Sequence, residues 1–192
     1  KLHSPKAVQD FLDTIPANFE LTGETCRSPR RVLRDRCGHC IEGALLAALA
    51  LRLQGYRPLL MDLKATANDL DHVVAVWHGR YGWGAISKTN HAVLRYREPI
   101  YRTLRELALS YFHEYFTDDG TKQLRSYSVP FNMARFDSRG WVTAEEDLWY
   151  VPQALDYALH YQILQPGAAR GLRKADLVEI KAGKLTQWKV RH

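Results

Sequence analysis

Cys37, Gly38, His39 and Cys40 put two thiols and an imidazole within four positions, and an apolar run of helix formers follows directly. Four chemistries suit that arrangement. The Cys37 and Cys40 spacing is that of half a structural zinc site, with Cys26 or His39 to be enlisted. No second pair at similar spacing exists, however, and His39 lies awkwardly between the thiols. A reversible disulfide is the second option, because thiols two residues apart at a helix start can form one. The preceding "SPRRVLRDR" is unlike the strand that such a redox unit follows. Third, small thiols are commonly buried as plain packing groups. The fourth is a nucleophile in the first turn of a helix, where unpaired backbone N–H groups and the helix dipole favour a thiolate. Cys40 is the residue so placed, and Cys37 is then a packing cysteine.

A nucleophilic cysteine needs an imidazole within reach and a polar group to orient that ring. His72 opens the segment "HVVAVW", and Ser87, Asn90 and His91 follow "GWGAI". His72 is the first candidate base and His91 the second; Ser87 and Asn90 are the candidate orienters. Asp71 adjoins His72, so in a strand the two side chains point to opposite faces. Glu42, inside the apolar run, is expected to pair with an arginine of "RRVLRDR" and pin that segment over the site.

The elements that must hold these residues follow from the spacing of apolar positions. Alanine and leucine dominate from Cys40 to Leu53, which predicts a helix apolar on nearly every side, buried at the centre of the domain and stopped near Gly55. "SPKAVQDFLDTIP" predicts a short amphipathic helix capped by Ser4, and Ser28 with Pro29 opens another that Gly38 should break. "YRPLLMDLKA", "DHVVAVWHG" and "RYGWGAISKT" read as three successive strands. "EPIYRTLRELALSYFHEYF" returns to helical spacing through Ile100, Leu104, Leu107, Tyr111 and Tyr115. Thr143 with Glu146 has the form of a capping box, "VPQALDYALHYQIL" reads as a helix, and "LVEIKAGKLTQWKV" reads as a hairpin turning at Gly183. The aromatics of the later segment, among them Trp141 and Tyr150, are packing groups or a roof over the cleft. Short loops between successive strands leave no room for parallel crossovers. The expected class is therefore α+β, a central helix packed on a mostly antiparallel sheet.

At 192 residues, with 46% hydrophobic and 25% charged, the chain reads as one globular domain. Its net charge of +6 would tolerate anionic partners, but no nucleic-acid signature accompanies the arginines of "CRSPRRVLRDRC". Nucleic acid is accordingly a disfavoured partner that basic charge alone leaves open. "IEGALLAALALRL" is shorter than the ~20 residues of a membrane span and carries Glu42 and Arg52, so no membrane partner is expected. Three cysteines, an odd number, suit a reducing compartment, and a cytoplasmic location is the expectation.

"CGHCIEGALLAALALRLQGYRPLLM", "DHVVAVW" and "YGWGAIS", in that order, resemble the three blocks of the transglutaminase-like, papain-related superfamily. The resemblance runs from Arg36 to Lys88. It implies a transglutaminase-like cysteine protease fold, a single domain over residues 1–192 with 36–88 as its recognisable core and 97–192 as a helical, aromatic-rich extension. By position Cys40 matches the family nucleophile and His72 its base. The third residue, an aspartate in the family, falls on Ser87. That departure leaves open a Cys–His dyad, a triad completed by Asn90, or a domain that has lost the chemistry and binds protein or peptide in its old cleft. An active member would be a cysteine hydrolase of peptide or side-chain amide bonds with a peptide or protein substrate, needing no metal or organic cofactor. The oligomeric state is not legible.

Overall fold

The run of alanine and leucine forms helix α3 (Cys40–Leu53) in a computed structural model that describes residues 2–189. Ten of its fourteen residues are buried, as a helix apolar all round requires. Two short helices lie against it. Helix α1 (Pro5–Asp13) starts at Ser4, whose hydroxyl accepts the Ala7 N–H, and α2 (Pro29–Asp35) starts at Ser28 in the same way. Helix α2 ends at Arg36, which turns left-handed at φ 55°, so it stops two residues before the Gly38 expected to break it.

Strands β1 (Leu59–Lys64), β2 (His72–His78) and β3 (Trp83–Ile86) form within the three segments read as strands, separated by the polar turn after Lys64 and the tight turn at residues 79–82. Strand β4 (Arg97–Tyr101) replaces the start of the helix read from Glu98 onward, and α4 (Leu104–Phe112) begins only at the Thr103 cap. Pro99 accounts for the difference, because it keeps the residue before it extended, while Ile100 on this outer strand is exposed. Strands β5 (Ser126–Ser128), β6 (Phe131–Asn132) and β7 (His160–Gln162) complete a sheet ordered β4-β3-β2-β1-β5-β7, with β6 beside β1 and every pair antiparallel.

Three expectations in the C-terminal half are corrected. No helix follows Thr143 and Glu146; α5 (Tyr150–Asp156) begins after Trp149. The helix expected through Leu164 ends at Asp156, and residues 160–162 join the sheet on β5. The expected hairpin is instead helix α6 (Leu177–Gly183), because Asp176 accepts the Val178 and Glu179 N–H groups while Glu179 reaches back to the Asp176 N–H. That reciprocal cap outweighs the strand-like alternation of the segment. The final residue of the expected hairpin, Val190, lies outside the described residues.

Leu60, Val73, Ala75, Trp77 and Ile86 cover one face of the sheet and pack against α1, α2, α3 and α5. Met61, Leu63, Val74, Val76 and Ala85 cover the other face and pack against α4. Trp141 is fully buried with α3, and Phe131, Phe136 and Tyr150 pack on the same core, so these later aromatics serve packing, whereas Trp149 is exposed. The architecture is α+β, with helices on both faces of an antiparallel sheet. Among the described residues no helix is long and apolar enough to cross a membrane. One close approach sets the end of the domain that matters for chemistry. A Cβ on Gly43, in the first turn of α3, would stand 2.3 Å from the Cβ of Lys88, so the chain after β3 lies directly on that turn.

Candidate functional site

Cys40 begins α3, His72 begins β2 and Ser87 follows β3 by one residue. Antiparallel pairing of Ala75 with Ile86 brings the start of β2 alongside the end of β3, and the Gly43 contact lowers α3 onto both. His72 Nε2 lies 2.8 Å from Ser87 Oγ. The Ser87 hydroxyl also bonds the Leu94 carbonyl at 2.5 Å. A carbonyl can only accept, so the single hydroxyl proton goes to Leu94 and Ser87 Oγ must accept from His72 Nε2–H. That hydrogen bond fixes the ring's orientation through Nε2 and leaves Nδ1 as the nitrogen not bonded to serine.

Considerable structure holds this serine in place. The Gln9 side chain, itself buried, gives its amide N–H to the Ser87 carbonyl and takes the Ser87 backbone N–H on its oxygen, each at 2.9 Å. Leu94 is left-handed at φ 59°, a conformation costing about 1 kcal/mol or more in a residue with a side chain. Glu114 secures it by accepting the Leu94 N–H at 2.8 Å, and Arg97 anchors Glu114 in turn at 2.6 Å.

Burial pushes the Cys40 thiol up, but hydrogen bonds and charge from His39 and His72 outweigh it and bring its pKa down to about 5. His39 caps α3. Burial pulls its imidazole down, yet the Cys40 thiolate and the Glu42 carboxylate raise it to about 9. Cys26 behaves oppositely: burial, then the charges of Glu42 and Asp147, push its thiol up to about 12. One thiol is therefore poised to ionise while a second is held neutral.

The other candidates fall into distinct places. Asn90 bonds the Trp188 backbone through both ends of its amide, at 3.0 Å and 2.7 Å, and so fastens the C-terminal segment rather than orienting His72. His91 Nδ1 is 2.8 Å from the Gly183 carbonyl at the edge of the cleft, where that contact commits it to α6. Asp71 accepts the Ala65 N–H at 2.8 Å, away from the imidazole. Glu42 is fully buried, but its partners are Asn18, Thr25, Arg27 and His39, not an arginine of "RRVLRDR". Cys37 accepts a hydrogen bond from Arg27 Nη1 at 2.7 Å, and all three cysteines are free. Among the described residues, no group of three or more His, Cys, Asp and Glu side chains is disposed to hold a metal ion.

Cys40 lines two cavities. A larger one of about 410 Å³ is walled by His72, Leu94, Tyr115, Ile180 and Lys184, so α6 contributes a wall that reading the tail as a hairpin had missed. A smaller one of about 180 Å³ lies toward α5, between Ile41, Asp62, Asp71, Leu155 and Asp156. Gln9, Leu94 and Asp62 carry no motif, and their place at the site could not be found from spacing. His39, the N-cap residue of α3, is legible from its place directly before Cys40.

Removing the serine tests the orientation argument directly. In Cys40→Ala protein at about pH 8, where an ordinary imidazole is neutral, nitrogen NMR should find His72 protonated at Nε2. In the Ser87→Ala, Cys40→Ala double variant the ring should populate both tautomers. Equal tautomer populations in both proteins would show that Ser87 does not orient the ring.

No protein-family model matches the chain, and no curated protein matches it either.

Proposed function

We propose that the protein is a cysteine hydrolase of the transglutaminase-like type, acting on peptide or side-chain amide bonds through Cys40 and His72. The observation that carries this reading is a thiol brought down to about 5 by two imidazoles at the junction of two cavities. Its neighbours supply each remaining part of an acyl transfer. Cys40 Sγ attacks the carbonyl carbon, forming an S–C bond, and the first-turn N–H groups of α3 face the oxyanion. The C–N bond then breaks as His72 delivers its proton to the departing amine. Water attacks the thioester, His72 takes the water proton, and the C–S bond breaks to restore the thiolate. A peptide or protein is the substrate class, and no step calls for a metal or an organic cofactor.

A generic acyl donor tests this without knowledge of the natural substrate. With p-nitrophenyl acetate, wild-type protein should release a burst of nitrophenolate, place acetyl on the Cys40 peptide, and then turn over. Cys40→Ala should abolish the burst. His72→Ala should slow it by about 10²-fold, the usual worth of a general acid–base group. An acetyl group found elsewhere, or a burst unchanged in Cys40→Ala, would overturn the reading.

One observation favours a second reading, a transglutaminase-like domain that binds protein or peptide without turnover. The group facing His72 is a hydroxyl, which carries no charge to stabilise an imidazolium. On that reading Cys40 acetylates and the adduct persists without hydrolysis.

A further inference from the structure

Asp62, in β1, lines the smaller of the two cavities beside Cys40, whereas His72 lines the larger. It is 3% exposed. One of its oxygens, Oδ2, is 3.0 Å from His160 Nε2. His160 Nδ1 lies 2.8 Å from the Ala158 carbonyl and must carry a proton there, so the contact to Asp62 requires one further proton shared between ring and carboxylate. The other oxygen, Oδ1, is buried and has no hydrogen-bond partner among the described residues. Leaving such an acceptor unmade is costly, which makes it a place for a donor from outside the chain.

The chemistry of that donor follows from its surroundings. Asp62, Asp71 and Asp156 all line the cavity, and no lysine or arginine does. The chain's own ammonium pairs with two of these carboxylates: Lys64 Nζ is 2.7 Å from Asp156 and 3.7 Å from Asp71. It leaves Asp62 Oδ1 unmet. This local acidity runs against a chain whose net charge is +6. We propose that the smaller cavity is a substrate subsite for an ammonium-bearing group, such as a lysine-like side chain beside the reacting carbonyl, with Asp62 Oδ1 as its hydrogen-bond acceptor. The proposal rests on Cys40 being the reacting atom.

Two thiol reagents that differ in charge provide the test on the intact chain. Modification of Cys40 by 2-aminoethyl methanethiosulfonate and by neutral methyl methanethiosulfonate is followed on the Cys40 peptide by mass spectrometry. The rate ratio of the two reagents is divided by the same ratio for 2-mercaptoethanol. Wild-type protein should prefer the cationic reagent by about fivefold or more, Asp62→Asn should bring the preference within about twofold of unity, and Lys64→Gln should raise it by about two- to threefold. A wild-type ratio no higher than that of the free thiol overturns the subsite whatever the variants do. An unchanged ratio in folded Asp62→Asn overturns the role of that residue. The thiolate reading is judged separately, by whether the neutral reagent still modifies Cys40 at about pH 6.

Discussion

Alkylation of Cys40 by iodoacetamide is expected to show its inflection near pH 5, and His72→Ala should move that inflection upward by more than about one unit. An ordinary thiol has its inflection near 9.0. At pH 7 the difference gives Cys40 about 100-fold more thiolate, but a thiolate of lower basicity is also a weaker nucleophile. With a Brønsted slope of about 0.45, four units of basicity cost about 60-fold. The two effects nearly cancel at neutral pH, so a rate measured there is uninformative. At about pH 6 the thiolate advantage grows by almost another tenfold and dominates. The position of the inflection is therefore the quantity to measure. His39→Ala should raise it as well, since that imidazole also bonds the thiol. Only His72→Ala should also slow acyl transfer. A profile like that of a free thiol in wild-type protein would sink the nucleophile reading.

Glu42→Ala should be the most damaging single substitution for stability, at about 3–5 kcal/mol, or a fall of about 6–20 °C in Tm for a domain of this size. The carboxylate is fully buried and accepts from Thr25 Oγ1 at 2.7 Å, the Arg27 N–H at 2.9 Å, the His39 N–H at 3.1 Å and Asn18 Nδ2 at 3.2 Å. Removing it leaves those donors unpaired and takes away the anion that helps keep His39 cationic. The Cys40 inflection should rise together with the loss of stability. A destabilisation below about 1 kcal/mol in thermal or denaturant unfolding would show that the loop over α3 is held by other means.

Where apolar spacing was unbroken, the sequence was easy to read. Helix α3 and strands β1 to β3 stand close to where composition and the turns between them place them, and Ser4 and Ser28 cap the helices they precede. The misreadings arose where one local feature outweighed a periodic pattern: Pro99 extending β4, Asp176 capping α6, and three residues after α5 captured by β5. Cys40 and His72 are expected at the starts of elements, and each begins one. Asn90 was misplaced because sequence proximity to β3 says nothing about the tail segment that occupies its amide. The role of Leu94 depends on backbone conformation and a carbonyl direction, neither of which leaves a trace in residue type.

The single proton of the Ser87 hydroxyl has a consequence for timing. A carboxylate facing His72 would steady the imidazolium throughout the cycle, whereas a hydroxyl committed to Leu94 offers only a lone pair. The Cys40 sulfur is then the group that faces the ring's other nitrogen. On the proposed hydrolase reading, acylation consumes the Cys40 thiolate at the step when the departing amine needs a proton. No thiolate then stands beside the ring while water attacks. If the proposed hydrolase reading holds, acylation should outpace hydrolysis and the thioester should accumulate.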